Sequence, residues 1–246
     1  TEPVEDDLFR FRPNWQKIIF VFDELERLGI DYDQIFLADS SCMIKWNAPN
    51  IFELTDRKFV GWNDRDNMRW IYDSIQGYKS FFNGFELDQY SYVSSGVIIF
   101  NEIHKEVIQG FKKLYLVNID KFIDLQDNIV KKGNDQTPLN YWLQINNVEL
   151  NLDLPIAFKL THMHRKDLFS HNWQDGDDKT PFFIKYGYNW VFNGIPKDTR
   201  STLIKETWDL VGHNYNMDTA KYDKILDEML HKDTAKYTTS RKLKLD

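Results

Sequence analysis

Asp33-Gln34-Ile35-Phe36-Leu37-Ala38-Asp39-Ser40-Ser41-Cys42-Met43-Ile44 is the stretch on which the reading of this chain turns. Ile35 to Ala38 is a short apolar run of the kind a covered parallel strand shows. Asp39 stands where such a strand emerges, and open α/β sheets bind ligands outside the carboxyl ends of their strands. A carboxylate there can hold a cation, a sugar hydroxyl or a nearby lysine. The plainer alternative is an Asp that caps a turn.

Upstream, Asn14 is suited to cap a helix whose apolar positions Trp15, Ile18, Ile19, Phe22 and Leu25 follow the helical period, with Gly29 as its end. Downstream, residues 58–90 are rich in Trp, Asn, Asp and Gly and weakly periodic, which predicts a long loop region with short elements. Asp64-Arg65-Asp66 lies there with no strand leading into it, so it reads as a surface decoy of a paired-carboxylate motif. Tyr92 to Asn101 is a second strong strand, and Gly96 inside it implies close approach of backbone or ligand. A helix with Val107, Ile108, Phe111, Leu114 and Tyr115 on one face follows, and then another over 119–131 that stops at Gly133. Thr137 as N-cap with Pro138 next predicts a helix start that leaves Asp135 and Gln136 on the preceding loop, free to point at a site, the plainer alternative being that Asp135 only complements the helix dipole. Short strands are expected at 148–152 and 156–161 and in the aromatic region 182–192. His162 and His164 share a strand face, a pattern that more often serves structure than metal. Helices carrying Leu203, Ile204, Trp208 and Val211, then Tyr222, Ile225, Leu226 and Met229, close the chain.

Strands alternating with helices predict an α/β domain, a mixed sheet flanked by helices. The expected organisation is an acidic lead over residues 1–13, one domain over 14–211, and a C-terminal helix with a basic tail over 212–246. A net charge of −7 argues against nucleic acid as the main partner, because phosphate binding needs a basic footprint. The single cysteine, Cys42, excludes an internal disulfide and suits a reducing, cytoplasmic compartment. No stretch approaches the roughly 18 apolar residues of a membrane span, and no signal peptide is visible. Aromatics at 15% are numerous, and such residues often line sugar or base pockets, although filling the core accounts for most of them.

Taken in order, Asp39-Ser40-Ser41, Ser95-Gly96, Asp135-Gln136 and Val191-Phe192-Asn193-Gly194-Ile195-Pro196-Lys197 resemble the motif series of GT-A glycosyltransferases. The likeness is greatest to the retaining nucleotide-sugar transferases of family eight, the glycogenin and bacterial galactosyltransferase type, and runs over most of residues 14–200. Those enzymes carry a strand ending in Asp-x-Asp, later Asn-x-Gly, then Asp-Gln before a helix, and late in the chain His-Phe-x-Gly-x-x-Lys. The resemblance implies a Rossmann-related GT-A-like sheet and transfer of a sugar from a nucleotide-diphosphate donor, UDP-sugar favoured, to an unknown sugar, protein or lipid-linked acceptor. It implies that Asp39 and Ser41 contact the donor and that Ser95 and Gly96 line the sugar pocket. Asp135 and Gln136 then flank the transferred sugar as the catalytic pair, and Asn193, Gly194 and Lys197 clasp the diphosphate.

The departures carry equal weight. Ser41 stands where the family has its second metal-binding acid, and Val191 where it has a metal-binding His. Asp39 is then the remaining ligand, so Mn or Mg is expected to be weakly bound or absent, with Lys197, Arg200 or Lys185 neutralising the diphosphate. No organic cofactor is implied. One helix precedes Asp39 where the family has a βαβ unit for the base, so the N-terminal nucleotide subdomain is expected to be shortened. The rival expectation is a degenerate relative that binds carbohydrate or acts as a scaffold without turnover.

Overall fold

Val93–Asn101 is the longest strand, and all of its residues are buried because both faces of its sheet are covered. In this computed structural model the structure describes residues 12–63, 67–161, 187–193 and 197–212. Two short helices, α1 (Pro13–Ile19) and α2 (Val21–Leu28), lead into β1 (Gln34–Ala38) and β2 (Cys42–Ile44). Then come β3 (Phe59–Asn63), α3 (Met68–Lys79), β4 (Val93–Asn101), α4 (Lys105–Val117) and α5 (Ile119–Asp124), the last running into a π-helical turn, Leu125–Ile129. Helix α6 (Gln136–Ile145), strands β5 (Leu150–Asn151), β6 (Leu160–Thr161) and β7 (Asn189–Val191), and α7 (Lys197–Gly212) complete the order.

The strands form a four-stranded sheet, β1-β4-β3-β5, and a three-stranded sheet, β2-β7-β6. Strand β4 is antiparallel to both β1 and β3, whereas β3 and β5 run parallel. Alternate residues of β4 feed two cores, as a period of two requires. Ile98 and Phe100 join Trp15, Phe22, Ile75, Tyr78, Phe111 and Tyr141 beneath the helices. Val97 and Ile99 join Val60, Trp62, Phe158 and Val191 under the small sheet. A sheet sealed on both faces reads as continuous hydrophobicity, which is why β4 was so plain in the sequence.

The fold is thus mixed α/β, as the alternation predicted. Several details differ. Strand β1 is antiparallel and lies at an edge of its sheet, half-buried throughout, because a short apolar run does not encode its partner's direction. The region expected as a long loop holds β3 and the twelve-residue α3. Asn67 caps α3 by accepting from the Trp70 N–H at 3.0 Å, and Ile71, Ile75 and Tyr78 form its inner face. The first helix is interrupted at Phe20, and α6 starts at Gln136 with Asp135, not Thr137, at the N-cap. Thr137 is instead buried, its hydroxyl 2.6 Å from both Ser74 Oγ and Tyr92 Oη. Residues 156–158 form a 3₁₀ turn rather than strand. Most of the large aromatics serve the core, Trp15 stacking on Phe111 and Tyr115 with centroids 5.1 and 4.1 Å away. Asp64-Arg65-Asp66, His162, His164, Lys185 and the helix expected around 222–229 lie outside the described residues.

Candidate functional site

Trp15, Ile18 and Ile19 lock α1 into the main core. Asn14 and Lys17, three residues apart, therefore share one helix face and project together. The Asn14 amide donates to Asp135 Oδ1 at 2.8 Å. The Lys17 ammonium donates to Asp39 Oδ1 at 2.5 Å and to the Ser95 carbonyl at 2.8 Å, and lies 3.6 Å from Asp135 Oδ2. Of the roles open to Asp39 in the sequence, the structure gives it a lysine partner.

On the other side of Asp39, the Asn193 amide just beyond β7 donates to Asp39 Oδ2 at 3.2 Å, and the Ser41 hydroxyl donates to Asn193 Oδ1 at 3.3 Å. These side chains cross directly over Gly96. A Cβ built at that glycine would stand 2.5 Å from Asn193 Nδ2 and 3.1 Å from Asp39 Oδ2, so the site needs a residue without one. The close approach expected at Gly96 is made by these two side chains.

An irregularity in β4 makes room for this. Gly61 pairs with Ile98 but Asn63 with Val93, so the pairing with β3 shifts across residues 94–97. Helix α6 supplies partners to β4 beyond the Ala38–Val97 end of its pairing with β1. Asn140 accepts from the Val93 N–H at 2.7 Å and donates to the Val93 carbonyl at 2.8 Å, while Gln136 Oε1 accepts from the Ser95 N–H at 3.3 Å. Two amides one helical turn apart thus stand in for a strand. The loop before α6 is fixed from below by the π-helical turn, where Gln126 donates to the Asn134 carbonyl at 2.9 Å.

Burial pushes the Asp39 carboxyl above its ordinary range; Lys17 and Arg200 of α7 draw it down, and the charge of Asp135 raises it further. Burial also lifts the Cys42 thiol to about 12, which leaves it protonated and inert as a nucleophile. A divalent ion bridging Asp39 and Asp135 would require the position that the Lys17 ammonium holds. Ser41 is engaged with Asn193, and Val191 is buried in the second core. As arranged, these residues do not fit such an ion. Among the described residues no three His, Cys, Asp or Glu side chains form a metal cage. What the cluster holds is carboxylates, amides and hydroxyls at high density, bonded to one another and of the types that pair with hydroxyls and amines.

The structure therefore brings together Asp39, Ser41, Ser95, Gly96, Asp135, Gln136 and Asn193. Lys197 opens α7, but its side chain and Gly194 lie outside the described residues. Sequence reasoning missed Lys17, which sits on the polar face of an amphipathic helix where a lone lysine ordinarily meets water. It also gave Asn14 a capping role, whereas the cap position belongs to Arg12. No protein-family profile, curated protein or solved structure matches the chain. No helix of the described residues is long and apolar enough to cross a membrane.

Proposed function

We propose that this protein transfers a sugar from a nucleotide-diphosphate donor, UDP-sugar favoured, to a sugar, protein or lipid-linked acceptor on a GT-A-like domain. One observation carries the reading. Residues picked from separated motifs, Asp39 to Asn193, converge on one polar cluster at an irregular point of the central sheet. In this reading Asp39 and Ser41 receive donor hydroxyls, and Ser95 and Gly96 floor the sugar pocket. Asp135 and Gln136 flank the positive charge that develops as the glycosidic bond breaks. Fixed groups aimed at such charge supply much of a transferase's rate.

The test is sugar transfer or donor hydrolysis by the wild type, set against Asp135→Ala. Activity lower by about 10²–10³-fold in the variant is expected, and equal turnover would remove Asp135 from the mechanism. A second reading follows from the same contacts: Asp39 and Asp135 are already held by side chains of α1, which suits a degenerate relative that binds carbohydrate without turnover. Saccharide binding with no turnover across a donor panel would favour it.

A further inference from the structure

We propose that Lys17 is the resident cation of this site, filling from within the chain the position that a divalent ion would take between Asp39 and Asp135. The inference stands on geometry and does not rest on the proposed activity. The ammonium meets Asp39 Oδ1 at 2.5 Å, the Ser95 carbonyl at 2.8 Å and Asp135 Oδ2 at 3.6 Å. All three neighbours are oxygens drawn from three elements, the donor type that hard cations select. Asp135 is 6% exposed, and its Oδ2 has no hydrogen-bond partner although it is aimed at that position. Asp39 and Asp135 face the same gap, where their like charges oppose one another. A buried carboxylate facing a half-buried one is stabilised by a compensating charge, and α1 delivers one on a helix that stacked aromatics hold in place.

The consequence is that removing the amine leaves an all-oxygen pocket of two carboxylates and a carbonyl. Lys17→Ala should therefore turn the protein into a divalent-cation binder. Mn²⁺ is the probe, titrated against wild type, Lys17→Ala and Lys17→Ala/Asp135→Asn, with free Mn²⁺ read by electron paramagnetic resonance and melting temperature followed in parallel. Lys17→Ala is expected to gain one saturable site at least about tenfold tighter than any in wild type, a difference of about 1.4 kcal/mol. Mn²⁺ should raise its lowered melting temperature, and the double variant should lose the site. Equal Mn²⁺ binding by wild type overturns the proposal, as does a folded Lys17→Ala that gains no site or one that survives Asp135→Asn. Failure of Lys17→Ala to fold even with Mn²⁺ also overturns it, whether or not the double variant folds, because the missing charge would then not be replaceable by a metal.

Discussion

Gly96 shows how much one absent side chain does here. Its Cα lies under the Asp39–Asn193 bond, so Gly96→Ala forces a methyl against the Asn193 amide. Overpacking of this kind costs about 1–3 kcal/mol. Urea unfolding should show that loss, and the affinity of the folded variant for the proposed UDP-sugar donor should fall because Asn193 must leave Asp39. Unchanged affinity would separate Gly96 from the site. His104 makes a second prediction at this scale. It is buried, and its Nδ1 accepts from the Asn101 N–H at 3.2 Å while the ring meets Phe59 edge-on. Burial lowers its pKa, and protonating Nδ1 would abolish the bond it accepts. A depressed histidine contributes stability that is present above its unfolded value, about 6.5, and lost as pH falls through the lower folded value. Acidification from about pH 7 to 5 should therefore destabilise wild type more than His104→Leu, whose side chain does not titrate. Parallel slopes of stability against pH would refute the assignment.

Among the elements, α6 is the one whose contribution exceeds its packing. Its Asn140 carries both bonds that a neighbouring strand would otherwise make to Val93. Asn140→Ala leaves a buried N–H and a buried carbonyl unpaired, an expected loss of about 2–4 kcal/mol in chemical denaturation. A loss near zero would mean that water or a shifted backbone replaces the amide. Periodicity made most elements legible: β4, α4 and α7 appear where the apolar spacing put them. Helix α3 was not legible, because its inner face of Ile71, Ile75 and Tyr78 is interleaved with Arg69, Asp73 and Gly77, a mixture that also describes a loop. The start of α6 was misplaced for a related reason. Thr137 and Pro138 have the chemistry of a cap, but Thr137 is drawn inward by Ser74 and Tyr92, and no local signal reports that pull.

For the molecule as a whole, the sheet separates two cores, and the site lies where elements of both meet. Strands β2 and β7 bring Ser41 and Asn193 from the small-sheet side, while α1 and α6 bring Asn14, Lys17, Asp135 and Gln136 from the helical side. Trp190, fully buried in β7 between Met43 and Leu160, anchors the first of these groups. Trp190→Ala is expected to cost about 3–5 kcal/mol. It should also weaken binding of the proposed UDP-sugar donor, because Asn193 loses its support. A folded variant with wild-type affinity would argue against that coupling.

The amino-acid sequence by itself determined the α/β alternation, the strand β4 and the candidacy of Asp39, Gly96 and Asp135, since periodicity and residue type are local properties; Asn193 became a candidate only through the motif resemblance. Tertiary structure alone decided strand direction, the second core and the pairing of Asp39 with Lys17. A lysine on a polar helix face carries no mark of its partner. Only when Trp15 docks α1 beneath the sheet does its ammonium arrive between two carboxylates.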